Sequence, residues 1–211
     1  VGNPFAGTRD SRNYPMKLVV VSLGYVGLPL AEEACRVGIS VCGLDNDLSK
    51  VEALGAGRSH VDDITDDQVG GMLSTGFVAT VDPVCLEEAE VVVICVPTPL
   101  DDDGNPDLSA VLSASQTVGD RLKPGALVVL ESTTYPGTTE DRVCPLLEGG
   151  SGLRAGEDFS LAYSPERIDP GNKVWGFRNT PKVVGGLTQD CLDRSVNFYG
   201  RLVDTVVPTT G

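Results

Sequence analysis

The chain has 211 residues, 41% of them hydrophobic, and a mean hydropathy of +0.02, which is enough to bury one sizeable core and unlike a disordered chain. Sixteen basic residues against thirty acidic ones give a net charge of −14, which repels polyphosphate at long range and leaves no basic footprint for nucleic acid. The longest apolar runs, such as Val91 to Val96, fall far short of the roughly 20 residues of a membrane-spanning helix, so no membrane partner is expected.

Residues 1–15 carry two arginines but no apolar stretch able to act as a secretory signal, and they are expected to be a disordered leader ahead of Met16 in a cytoplasmic protein. From Lys17 onward, short β-branched runs alternate with segments of helical periodicity, the pattern of βαβ units on a parallel sheet. Strands are predicted over Leu18–Val21, Ser40–Leu44, Phe77–Thr80, Val91–Val96, Ala126–Leu130, Phe159–Ala162 and Lys182–Val184. Most are continuously apolar, as strands covered on both faces should be. Helices are predicted over Leu28–Val37, closed by Gly38, over Leu48–Leu54, ended by Gly55 and Gly57, and over Leu108–Leu122 and Thr138–Leu147. Gly149–Asp158 reads as a flexible connection. The loops Pro97–Asp107 and Ser164–Thr180 are longer than a connection needs. The expected fold is therefore α/β, Rossmann-like and doubly wound, with a mostly parallel sheet and helices on both faces.

Six cysteines are scattered without a C-x-x-C pair, and His60 is the only histidine, so no metal site is expected. Reduced cysteines inside apolar elements behave as small hydrophobes.

The first strand runs through Ser22-Leu23-Gly24-Tyr25-Val26-Gly27 into a helix. This matches the second and third glycines of the G-x-G-x-x-G dinucleotide fingerprint, where the second admits the pyrophosphate and the third lets helix and strand pack closely. Ser22 stands where the first glycine would make the tight turn, a position of expected strain. Asp45 ends the second strand 21 positions after Gly24, close to the roughly 20 expected of the acid that binds an adenosine ribose. A carboxylate there would repel a 2′-phosphate, which selects NAD over NADP. The plainer reading makes the glycines a tight turn and Asp45 or Asp47 a helix cap. Lys50 is either a ribose contact or a solvated surface lysine.

Three further loops follow predicted strands: Val96–Pro99, Glu131–Thr138 and Ser164–Arg167. Ligands bind beyond the carboxyl ends of parallel strands, so these loops are expected to share one cleft. Proline-shaped loops, a Thr138 helix cap and a surface Glu166–Arg167 pair are the alternatives.

The segments LGYVGLPLA (Leu23–Ala31), CVPTPL (Cys95–Leu100), ESTTYPGTTE (Glu131–Glu140), SPERIDPGN (Ser164–Asn172) and PKVVGG (Pro181–Gly186) together resemble the N-terminal domain of the UDP-glucose/GDP-mannose dehydrogenase family, and within it the bacterial UDP-N-acetylglucosamine and UDP-N-acetylmannosamine 6-dehydrogenases. The resemblance implies a single NAD-binding domain over residues 16–208, taken from enzymes that oxidise C6 of a nucleotide sugar twice. It implies that Gly24, Tyr25, Val26 and Gly27 line the pyrophosphate, that Asp45 takes the ribose, that Thr98 contacts the cofactor, that Thr133 orders a water near the nicotinamide, and that Glu166 handles protons. It also implies that the nucleophilic cysteine, the UDP-sugar domain and the central helix that makes the homo-oligomer lie outside this chain. None of the six cysteines has the glycine-rich setting of that nucleophile, so the chain is not expected to complete the oxidation alone. A standalone non-catalytic dinucleotide-binding or regulatory module is the alternative.

Overall fold

A computed structural model describes residues 16–100, 103–167, 172 and 174–209. The expected leader, and parts of the Pro97–Asp107 and Ser164–Thr180 loops, lie outside the described residues. Eight strands form one sheet: β1 (Lys17–Val21), β2 (Ser40–Leu44), β3 (Val78–Thr80), β4 (Val91–Ile94), β5 (Leu127–Glu131), β6 (Ser160–Ser164), β7 (Lys182–Gly186) and β8 (Val206–Thr209). Their order is β3-β2-β1-β4-β5-β6-β7-β8. All neighbours are parallel except β6 and β7. The helices are α1 (Gly27–Arg36), α2 (Leu48–Gly55), α3 (Asp66–Ser74), α4 (Ser109–Gly119), α5 (Cys144–Ser151) and α6 (Gln189–Tyr199), with a 3₁₀ segment at Pro83–Glu88.

The alternation of side chains along each strand divides the core in two. Leu18, Val20, Val91, Val93, Leu127 and Val129 face one way and pack with residues of α1, α3 and α6. Their neighbours Val19, Val21, Val92, Ile94, Val128 and Leu130 face the other way and pack with α4 and α5. Burial on both faces explains why these strands read as unbroken apolar runs. The doubly wound expectation is met, with the order of strand addition reversing between β1 and β4, which remain parallel.

Several elements differ from the sequence expectation. Helix α3 has a full capping box, Thr65 with Gln68, but Gly70 and Gly71 in its middle weaken the helical signal. The stretch predicted as one helix from Thr138 to Leu147 is π-helical over Thr138–Val143 and becomes α5 at Cys144. Pro145 lacks the N–H that would continue the earlier hydrogen-bond ladder, so the α-helix restarts around it. That helix runs on to Ser151, taking three residues of the expected flexible connection. Strand β7 is antiparallel to β6. Helix α6 and the edge strand β8 complete the sheet beyond the predicted elements, and β8 carries Pro208 at an edge, where a missing donor is tolerated.

Candidate functional site

The glycine turn leaves β1 at Val21 and enters α1 at Gly27. Ser22 has φ 75°, the only positive φ at a non-glycine among the described residues, so the serine occupies the left-handed conformation that the first glycine of the fingerprint normally supplies. Its N–H donates to the Leu44 carbonyl at 2.7 Å, tying the turn to the end of β2. The other two glycines have different jobs. A Cβ on Gly27 would sit 1.9 Å from the Ser22 carbonyl oxygen, whereas one on Gly24 would meet only the Ser22 hydroxyl at 3.9 Å. Gly27 therefore lets the helix pack on the turn, and Gly24 leaves bare backbone facing open space.

Two groups hold the turn from behind. Asp45 is 4% exposed; its Oδ2 accepts from Leu23 N–H at 2.8 Å and its Oδ1 from Asp47 N–H at 3.0 Å. His60 Nε2 lies 2.8 Å from the Leu23 carbonyl oxygen, and because a carbonyl only accepts, that nitrogen carries the proton. A lone histidine far along the chain gives no sequence signal for this contact. At its start, α1 has no side-chain cap and no acidic residue in its first turn; Leu28 N–H donates to the Gly24 carbonyl, Leu30 N–H to the Val26 carbonyl and Pro29 has none, so what the helix start offers the opening is its dipole and the Gly27 N–H.

Past the turn, a cavity of about 750 Å³ opens at the carboxyl ends of β1, β2, β4, β5 and β6. Gly24, Tyr25 and Val26 line it from the turn, Asp45 and Lys50 from the β2–α2 connection, and Thr98, Thr133 and Glu166 from the loops after β4, β5 and β6. Eight of the nine residues expected at the site thus share one cavity, and Gly27 alone stands back from it. The facing wall is the small-residue side of α4, with Ala110, Ser113, Ala114 and Thr117 at helical spacing. That i, i+3, i+4, i+7 run of small residues was a readable signal that the loop motifs overshadowed.

The loops after β4 and β5 are fastened together. Thr98 Oγ1 donates to the Thr133 carbonyl at 2.6 Å, Ser132 Oγ to the Val96 carbonyl at 3.0 Å, and Tyr163 OH to the Ser132 carbonyl at 3.1 Å. Thr138 caps no helix; its hydroxyl donates to the Tyr135 carbonyl at 2.7 Å. At the cavity floor lies Glu131, fully buried, ion-paired with Lys182 and accepting a hydrogen bond from Tyr199 OH. Burial and the adjacent Glu131 hold the Tyr199 phenol well above its ordinary range, so it acts as a donor. Cys95, also on the cavity wall, is pushed well up by burial and by Glu131 and stays a thiol. Cys35 and Cys144 are pushed up to about 11, in each case mainly by burial. The thiol of Cys85 is lowered by a hydrogen bond from Cys42, but that pair sits near the amino ends of β1 and β2, in a separate pocket. All six cysteines are free thiols, and among the described residues no group of three or more histidine, cysteine or acidic side chains could hold a metal ion.

A parallel sheet reversing between β1 and β4, a glycine turn at the head of a helix and a carboxylate at the end of β2 define a dinucleotide-binding protein of the doubly wound class. A family model, the NAD binding domain of the UDP-glucose/GDP-mannose dehydrogenase family, matches residues 16–203. The chain belongs to that family, and its cofactor is NAD. It is 40% identical over 186 residues to Protein CapL of Staphylococcus aureus, covering 88% of this chain and 43% of that protein. Over 188 residues it is 36% identical to a UDP-N-acetyl-D-glucosamine 6-dehydrogenase of Pseudomonas aeruginosa, covering 89% and 44%. The solved structure of a UDP-D-ManNAc dehydrogenase from Pyrococcus horikoshii superposes with a TM-score of 0.87 at 34% identity, over 93% of this chain and 47% of that one. The chain thus spans under half the length of these relatives.

Proposed function

We propose that this chain is the NAD-binding half of a dehydrogenase that oxidises C6 of a UDP-N-acetylhexosamine to the uronic acid. The observation that carries the reading is the contrast between the two glycines: the backbone at Gly24 is bare toward a cavity floored by strand ends, while Gly27 is sterically obligatory. A pyrophosphate, which must approach the backbone closely at this turn, gives a reason for the first of these. In this reading the amides of the turn up to Gly27 hold the pyrophosphate, and Asp45 accepts from the adenosine ribose through lone pairs its two backbone donors leave unused. Lys50 and Thr98 contact the cofactor further along the cavity.

Bound NAD would supply the hydride acceptor. Thr133 would order a water at the nicotinamide end, and Glu166, on the same cavity wall, would take or return a proton during the hydrolytic step. The UDP-sugar, a homo-oligomer built on a central helix, and the covalent step on a cysteine are assigned to the portion of the longer relatives that this chain does not match. By this reading residues 16–208 are one domain that does not complete the oxidation alone, and the protein works in the cytoplasm. No helix among the described residues is long and apolar enough to cross a membrane.

Calorimetric titration of the purified chain with NAD, NADP and UDP-N-acetylglucosamine tests the reading. NAD is expected to bind, NADP to bind far more weakly because the Asp45 carboxylate meets its 2′-phosphate, and the UDP-sugar not to bind. Absence of NAD binding, or equal affinity for NADP, would overturn it.

A further inference from the structure

The Glu131–Lys182–Tyr199 group has no part in holding the glycine turn, yet it is built with unusual completeness. Glu131 is the last residue of β5, Lys182 the first of β7 and Tyr199 the last of α6. Their exposures are 0%, 5% and 0%. One carboxylate oxygen pairs with Lys182 Nζ and the other accepts from Tyr199 OH. The ammonium also stands 5.4 Å from the ring centroids of both Phe177 and Tyr199. Burying a charge in this way is costly unless it is paired and hydrogen-bonded, and here each member has a partner within the group.

The arrangement has a direction. Glu131 lines the cavity, whereas Lys182 does not, because β7 lies two strands further out than β5. The pair is therefore a fixed dipole with its negative end toward the cavity. Sheet order locates that end. Asp45 follows β2 and Glu131 closes β5, and the order β2-β1-β4-β5 puts three strand spacings between them, about 14 Å at ~4.8 Å each. If Asp45 marks the adenosine ribose, Glu131 stands at the opposite, nicotinamide end, beside the Ser132–Thr133 backbone that Thr98 and Tyr163 hold in place.

The nicotinamide ring is cationic when oxidised and neutral when reduced. A fixed negative end beside it interacts favourably with the first form and not with the second, and a low-dielectric, enclosed setting strengthens the difference. We propose that Glu131, held in place by Lys182 and Tyr199, sets the redox preference of the site, favouring NAD over NADH so that the reduced cofactor leaves readily. The inference rests on the reading of the cavity as an NAD site and adds to it the residues that discriminate the cofactor's two forms.

The experiment is a pair of titrations of the full 211-residue chain, NADH by its fluorescence and NAD by competition, read as the ratio of the two dissociation constants. Glu131→Gln removes the charge but leaves Lys182 uncompensated, so the double variant Glu131→Gln/Lys182→Met, which removes both charges, guards against a folding defect. Native-like circular dichroism and a cooperative melt qualify each variant. Wild type is expected to prefer NAD; in both variants that preference falls by roughly three- to ten-fold, while Glu131→Asp, which keeps a carboxylate, retains it. An unchanged ratio in the folded double variant, with both affinities lowered together or unaltered, would overturn the inference and reduce the group to a structural clamp. Failure of wild type to bind either form would instead overturn the cofactor reading itself, and this inference with it.

Discussion

At the residue scale, the glycine turn separates binding from folding. Gly24→Ala places a methyl group where the structure is open, and Gly24 has no positive φ. The variant should melt within about 0.5 kcal/mol of wild type yet bind NAD at least several-fold more weakly, because the methyl occupies the approach of the pyrophosphate. Gly27→Ala drives a Cβ to 1.9 Å from backbone and should lose stability by about 2 kcal/mol or more, seen as a lowered melting temperature without ligand. The reverse pattern, a destabilised Gly24→Ala that binds normally, would contradict the assignment of the two positions. Ser22→Gly tests strain at the first position. Relief of a left-handed serine is worth on the order of 1–2 kcal/mol, of which about 0.5–1 is returned to the more flexible unfolded chain. A small rise in melting temperature is expected, with NAD binding kept. The sequence pointed to Ser22 as strained because the fingerprint states which backbone each position needs. It was silent on His60, whose contact with Leu23 depends on where a distant loop returns.

At the scale of elements, the legible parts were those whose signal is local. Strands β1, β2, β4 and β5 are β-branched runs buried on both faces, and α1 and α2 end at residues that stop helices. Helix α6 was equally amphipathic, with Cys191, Leu192, Ser195, Phe198 and Tyr199 buried on one side and Thr188 capping it. It nevertheless lies outside the predicted elements. Strand β8 pairs only with β7, and its short, exposed, proline-bearing run carries little pattern. Two aspartates at helix starts yield a pH prediction. Asp47 accepts from the Ser49 hydroxyl and N–H at the start of α2, and Asp107 does the same with Ser109 at the start of α4. These hydrogen bonds, the hydroxyl foremost, hold both carboxyls below the usual aspartate range. A depressed carboxyl stabilises the fold above the unfolded value of about 3.9, and that contribution is lost as pH falls through the lower folded value. Acid unfolding followed by far-ultraviolet circular dichroism should therefore show part of its loss below about pH 4. The Asp47→Asn/Asp107→Asn variant, which keeps a side-chain acceptor at both positions without titrating, should lose less over that interval; an identical acid limb would show that other carboxylates dominate it.

At the scale of the whole molecule, the net charge of −14 acts on everything the cavity does. The same charge speaks against a nucleic-acid partner, and a phosphate held in spite of it needs local donors, which the backbone amides of the glycine turn at the head of the uncapped α1 supply. What composition could not convey is that the cavity itself is edged with carboxylates, Asp45, Glu131 and Glu166, set against Lys50; that depends on strand order, which no local pattern encodes. An anionic dinucleotide approaching this protein meets repulsion at distances beyond the reach of the amides that finally bind it. Salt screens long-range charge over a length of about 10 Å at 0.1 M and about 30 Å at 0.01 M, while the short contacts in the cavity are screened much less. Stopped-flow measurement of NADH association should accordingly show a rate constant that rises between these two ionic strengths, opposite to proteins that steer anions with basic clefts. The melting temperature of the unliganded chain should rise over the same interval as self-repulsion weakens. An association rate that falls with salt would mean that Lys50 and the α1 dipole dominate the field at the mouth of the cavity, and Lys50→Met would then abolish that fall.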